Sequence, residues 1–122
     1  MEWTTEINCA YDVEFTLGST GSTREVTIQL KDYAGNNLTV KNAILIYYST
    51  DADGDDKETM GAATVLATHG IIETLVSTKL DFLVTEDDGK VAITVDGDDV
   101  SIYVNVILPN GRVVTSQIIE FT

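Results

Sequence analysis

Hydrophobic and polar residues alternate with a period of two along most of this chain, which sorts side chains onto the two faces of a strand. In residues 24–32, Val26, Ile28 and Leu30 fall on one face and Glu25, Thr27 and Gln29 on the other. Residues 11–17 alternate through Tyr11, Val13, Phe15 and Leu17. Residues 90–95 do so through Val91, Ile93 and Val95, and residues 100–108 through Ile102, Val104, Val106 and Leu108. Residues 112–121 read as a returning last strand. The stretch 38–48 is different, because its end from Ala43 to Tyr48 is apolar on both faces. Such a run predicts a central strand covered on both sides.

Residues 70–80 fit two patterns. Ile72, Leu75, Val76, Lys79 and Leu80 fall at helical spacing. The segment is nevertheless rich in Ile, Val and Thr, which lose side-chain freedom in a helix and fit a pleated sheet. The continuation 81–85 alternates, with Phe82 and Val84 on one side. Two short strands are favoured over the helix.

Between the strands lie turn residues. STGS (19–22) turns the first strand into the second, YAGNN (33–37) forms a turn, and PNG (109–111) predicts a tight hairpin, since Asn-Gly accepts left-handed backbone. Seven or eight strands about ten residues apart, joined in this way, predict an all-β antiparallel sandwich. No alternation of strands with helices suggests a parallel sheet. The expected organisation is one domain over residues 11–122, with residues 1–10 as an arm or an extra strand.

Composition narrows the picture. A length of 122 residues suits one domain with its own core. Cys9 is the only cysteine, so no internal disulfide can form. No run of apolar residues is long enough for a membrane helix, and the first residues lack the basic-then-apolar pattern of a signal peptide. The formal net charge is −13, and that field opposes nucleic acid. Eleven of the twenty acids lie in two glycine-punctuated stretches, Asp51 to Glu58 and Glu86 to Asp99. The charge is expected on one set of loop rims, facing outward.

Candidate chemistry is sparse. Asp51, Asp53 and Asp55 sit at alternate positions like the first half of a calcium loop. The turn glycine that position six requires is Asp56, and the bidentate Glu of position twelve is Ala62, so a solvated acidic loop is favoured over a Ca²⁺ site. The only histidine, His69, precedes Gly70 and has no nucleophile motif to serve. One His and one Cys are too few for zinc. Acids in polar loops stay ionised and make poor acid–base pairs. The expectation is a protein that is not an enzyme and needs no cofactor. Trp3, the only tryptophan, and Ile7 are candidate partner-binding anchors in the N-terminal segment, because tryptophan is enriched where interfaces concentrate their energy. The sequon Asn37-Leu38-Thr39 would matter only in a secretory context.

Four segments together carry a resemblance. They are EFTLGSTGSTREVTIQLKDYAGNNL (14–38), YYSTDADGD (47–55), LVTEDDGKVAITV (83–95) and SIYVNVILPNGRVVTS (101–116). This chain resembles the small immunoglobulin-like virion proteins of tailed bacteriophages. The matching features are a strand through Val26, Ile28 and Leu30 running to Asn36, a hairpin from Thr85 to Val95, and a tyrosine strand from Tyr103 to the turn at Arg112. The resemblance covers residues 12–121. It implies an immunoglobulin-like sandwich with no catalytic residues and a structural role, decorating or cementing the outer capsid surface of a virion. The implied partner is the major capsid protein, with self-association on the capsid beside it, and neither nucleic acid nor membrane. The alternative is a tail- or fibre-associated module, or one that binds host-surface glycans.

Overall fold

The computed structural model describes residues 10–18, 24–50, 66–76, 79–95 and 101–120, with residues 66–69 described by their backbone. Trp3, Ile7, Cys9 and the 51–58 acidic loop lie outside the described residues. Nine strands are present among them and no helix. They are β1 (Asp12–Leu17), β2 (Arg24–Lys31), β3 (Ala43–Ser49), β4 (Leu66–His69), β5 (Ile71–Val76), β6 (Leu80–Val84), β7 (Lys90–Val95), β8 (Tyr103–Ile107) and β9 (Val113–Thr115). They form two antiparallel sheets, β1-β2-β7-β4 and β5-β6-β3-β8-β9. The expected all-β sandwich is what folds, with one strand more than the upper count read from the sequence.

The strand order explains the extra count. β1, β2, β7 and β4 stand where the A, B, E and D strands of an immunoglobulin constant-type sandwich stand, and β3, β8 and β9 where C, F and G do. The remaining hairpin, β5–β6, is inserted between the fourth strand and the strand that follows it, and extends the second sheet beyond β3. Residues 71–76 and Leu80 are therefore strand, as the β-branched content of the segment favoured.

The core lies between the sheets. Val26, Ile28 and Leu30 of β2 and Val91, Ile93 and Val95 of β7 face Ile44, Ile46 and Tyr48 of β3, Leu83 of β6 and Val104 and Val106 of β8. Each of these is buried. Fully burying one such side chain contributes about 1.5–3 kcal/mol, so the facing rows suffice without a disulfide. Inside this core, the Tyr48 hydroxyl donates a 2.7 Å hydrogen bond to Oδ2 of Asp81. Burial, and then the charge and hydrogen bond of Asp81, push the Tyr48 phenol well above its ordinary range, so it stays protonated.

One segment belongs to both sheets. β4 pairs with β7 in the first sheet, and after the single residue Gly70 the chain continues as β5, paired with β6 in the second. Strands cross between packed sheets at bends of this kind. Gly70 has φ of +115°, and a Cβ there would sit 2.7 Å from both the Val84 carbonyl oxygen and Val91 Cγ2. Neither the backbone angle nor the space accepts another residue.

Several expectations are corrected in detail. The 85–95 segment is not a hairpin: β6 and β7 lie in different sheets, and the 85–89 turn carries the chain from one to the other. Gln29 secures that turn by donating from Nε2 to the carbonyls of Asp88 and Gly89. The long strand expected from residue 38 begins only at Ala43, because residues 32–38 close a turn in which Asp32 Oδ1 accepts from the amides of Ala34 and Asn36. The last strand is broken after Thr115. There the Ser116 hydroxyl accepts the Val104 amide at 3.0 Å, and regular pairing resumes only as a bridge between Ile119 and Ile102. His69, read as a loop residue, ends β4.

Of the two acidic stretches, only Glu86, Asp87 and Asp88 lie among the described residues. They lie in the turn that precedes β7. The turn at 86–88 lies at the end of the sandwich that holds the 109–111 hairpin. β3 and β7 both finish at the opposite end; the expected rim placement of Asp51 to Glu58 and of Asp96 to Asp99 lies outside the described residues.

Candidate functional site

The two outer faces of the sandwich are built from opposite materials. On the four-stranded sheet, the register aligns Glu14 with Gln29 and Lys90, and Thr16 with Thr27 and Ala92. Asp12 stands across from Lys31. Lys31 Nζ donates to Asn37 Oδ1 at 3.0 Å and lies 3.8 Å from the Glu14 carboxylate. Glu14 and Thr16 at its edge are exposed, while Gln29 and Ala92 at its centre are buried.

On the five-stranded sheet, the register aligns Glu73, Phe82, Leu45, Ile107 and Val113 across all five strands. The next row outward holds Val76, Leu80 and Tyr47. These side chains point away from the core, because their neighbours along each strand, Ile44, Ile46, Leu83 and Val106, are the ones that fill it. The outward Leu45, Tyr47, Leu80, Phe82 and Ile107 are half-buried, and Val76 and Val113 are exposed. The doubly apolar run at Ala43 to Tyr48 was expected to be covered on both sides. The described residues cover its outer side only in part.

This face is contoured. A groove of about 490 Å³ runs over Leu45, Tyr47, Leu80 and Ile107 between Val76 and Val113, with Lys79 on its rim. A second hollow of about 310 Å³ lies over Leu45, Phe82 and Ile107 toward Pro109. At the other end of the face the character changes. Thr115 Oγ1 donates to Asn105 Oδ1 at 2.7 Å, and Asn105 Nδ2 donates to Ser49 Oγ at 2.9 Å. Asn105 and Ser49 are fully buried, so the network seals that end and leaves the apolar field beside it. Contiguous apolar surface of this kind is how interaction sites announce themselves.

A smaller feature sits where the turns meet. Tyr11 and Tyr33 touch edge to face with ring centroids 4.9 Å apart, and the Arg112 guanidinium lies 4.7 Å over the Tyr11 ring. Tyr33 is 75 % exposed. The sequence shows Tyr11 in a strand and Tyr33 in a turn, and only the fold brings them together. Arg112 reaches Tyr11 because the 109–111 hairpin forms as predicted, with the Leu108 amide donating to the Arg112 carbonyl and Gly111 at φ +85°.

Among the described residues no group of three or more His, Cys, Asp or Glu side chains is placed to hold a metal ion. Asp51, Asp53 and Asp55 lie outside them, as do Trp3 and Ile7. The apolar face was missed as a site from sequence, although its signal was present: β3 is apolar on both sides, and Phe82 and Val84 alternate outward on β6. Comparison of the chain with protein-family models, with curated proteins and with solved structures finds no match.

Proposed function

We propose that this protein is a non-enzymatic structural component of a tailed-bacteriophage virion that decorates or cements the exterior of the capsid. The outer face of the five-stranded sheet docks on the major capsid protein, with Trp3 and Ile7 as a second anchor. The observation that carries the adhesive part is the half-buried apolar field of Leu45, Phe82 and Ile107, with its groove, on a sandwich whose opposite face is polar. The virion part rests on the resemblance of the strand and turn motifs. Burying an apolar face is the dominant favourable term in most protein association, and many symmetric copies multiply a modest contact. The net charge of −13 suits an outward-facing coat better than contact with packaged DNA.

The experiment mixes purified protein with capsids lacking it and follows co-sedimentation. Wild type pellets with capsids, while Val113→Asp and Trp3→Ala each pellet less. Binding of wild type to isolated tails but not to capsids moves the reading to a tail-associated module. No binding to either overturns it.

The Tyr11, Tyr33 and Arg112 cluster favours a second reading, a glycan-binding module, since exposed aromatic rings stack on sugars. A glycan array run with and without EDTA tests it: binding lost on Tyr33→Ala supports this reading, and loss in EDTA implicates the Asp51, Asp53 and Asp55 loop.

A further inference from the structure

The hollow toward Pro109 and the groove between Val76 and Val113 share Leu45 and Ile107, so they are two basins of one apolar channel across the five-stranded sheet. Lys79 is the only charged residue that lines either basin. The outward residues of β3, β6, β8 and β9 include no acid, and Glu73 stands beyond Phe82 on the β5 side.

The chain itself supplies an occupant. It enters β1 at the end of the sandwich that holds the 109–111 hairpin. There Ala10 is fully buried, the Tyr11 amide donates to the Lys31 carbonyl at 2.8 Å, and the Arg112 guanidinium lies over the Tyr11 ring. The nine residues that precede Ala10 therefore join the sandwich beside the hairpin whose Pro109 bounds the hollow. An extended chain reaches about 10 Å in three residues and about 25 Å in seven. Counted back from Ala10, those residues are Ile7 and Trp3, and a spacing of four sets both on one face of an extended segment.

We propose that residues 1–9 cover the outer face of their own five-stranded sheet, with Ile7 in the hollow, Trp3 in the groove and Glu2 beside Lys79. Size agrees, since the nearer and smaller side chain meets the basin of about 310 Å³ and the farther and larger one the basin of about 490 Å³. Charge agrees as well. A surface of net charge −13 repels the acids of this segment, Glu2 and Glu6, whereas the groove offers them a lysine. The tether holds the occupant at high effective concentration, so shallow basins suffice. Cover and docking partner exclude each other on this face. When the segment lifts, the face is open and Trp3 and Ile7 are free to serve as the second anchor. The covering itself does not rest on the docking reading.

The test uses the fluorescence of Trp3, the only tryptophan, in the full chain without capsids, so it fails separately from the docking reading. The expected wild-type emission is that of a buried indole, shielded from acrylamide and the same at every protein concentration. Val113→Asp on the groove rim shifts the emission to the red and raises quenching roughly threefold as the ring enters water. Lys79→Glu gives a smaller red shift that high NaCl abolishes. Thr16→Asp on the other sheet changes nothing. An apolar dye competes for the same face, so Trp3→Ser with Ile7→Ser raises dye binding. Circular dichroism verifies folding, and Val76→Asp on the other rim replaces Val113→Asp if that variant fails to fold. A solvated wild-type indole overturns the proposal, as does a buried one indifferent to the rim variants. Emission that changes with protein concentration also overturns it, because the segment then lies on a second copy.

Discussion

The two sheets share one core but meet solvent in contrasting ways. The four-stranded sheet shows the rows Glu14–Gln29–Lys90 and Thr16–Thr27–Ala92, while the five-stranded sheet shows Phe82–Leu45–Ile107–Val113. The inner faces of both are alike, built from Val, Ile and Leu. Folding therefore accounts for the inner faces, and the outer polar face needs only solubility. The outer apolar face serves neither purpose, and that is why the proposed docking rests on it.

The sharpest break of the contrast comes from uncoupling the sheets. Gly70→Ala forces a Cβ against Val84 and Val91 and a strained backbone angle, and should cost roughly 3 kcal/mol or more, read as a lower urea midpoint. Next is the buried pair behind the apolar face. Tyr48→Phe leaves Asp81 buried, 2 % exposed, without its donor, and should cost about 1–3 kcal/mol. The same pair sets a pH dependence. The phenol of Tyr48 is raised in the fold, so its contribution is complete below the unfolded value near 10 and is lost as pH climbs above it, by about 1.4 kcal/mol per pH unit. Urea unfolding of wild type at pH 8 and pH 11 should show this fall, and Tyr48→Phe should be flatter over the same interval.

Smaller effects sharpen the comparison of the faces themselves. Ile107→Thr with Val113→Thr should shift stability by less than about 1.5 kcal/mol yet sharply reduce binding of an apolar fluorescent dye. Placing valine at Thr16 and Thr27 should raise dye binding on the other face. Equal dye binding by the two double variants would erase the distinction. The smallest effect is expected at Glu14→Gln, within about 0.5 kcal/mol by thermal unfolding, because the Lys31 contact is exposed and screened.

The sequence made the strands of the four-stranded sheet easy to read, because every second residue of β2 and β7, Val26, Ile28, Leu30 and Val91, Ile93, Val95, is a buried apolar one. β3 announced itself by being apolar on both sides, but the pattern along one strand does not say whether its outer side meets protein or solvent. That depends on what lies across β6, β8 and β9, so the candidate face emerged only from the register. Asp81 illustrates the same limit. Its neighbours Phe82 and Val84 suggest the apolar side of β6, yet Asp81 and Leu83 are the inward pair, since Tyr48 supplies the hydrogen bond that lets a carboxylate occupy the core. The 86–88 turn read as a hairpin because residues 83–95 are locally hairpin-like. Its role as a crossing between sheets comes from β2, whose Gln29 and Leu30 claim its carbonyls.

The passage from β4 through Gly70 into β5 also has a mechanical meaning. β4 and β5, joined by Gly70 alone, are stitched to β7 in one sheet and to β6 in the other, so sliding one sheet over its partner strains a ladder on each side of the bend. A load taken up by the five-stranded sheet thus reaches the four-stranded sheet through the shortest of its chain links, one glycine long, as well as through the 85–89 turn.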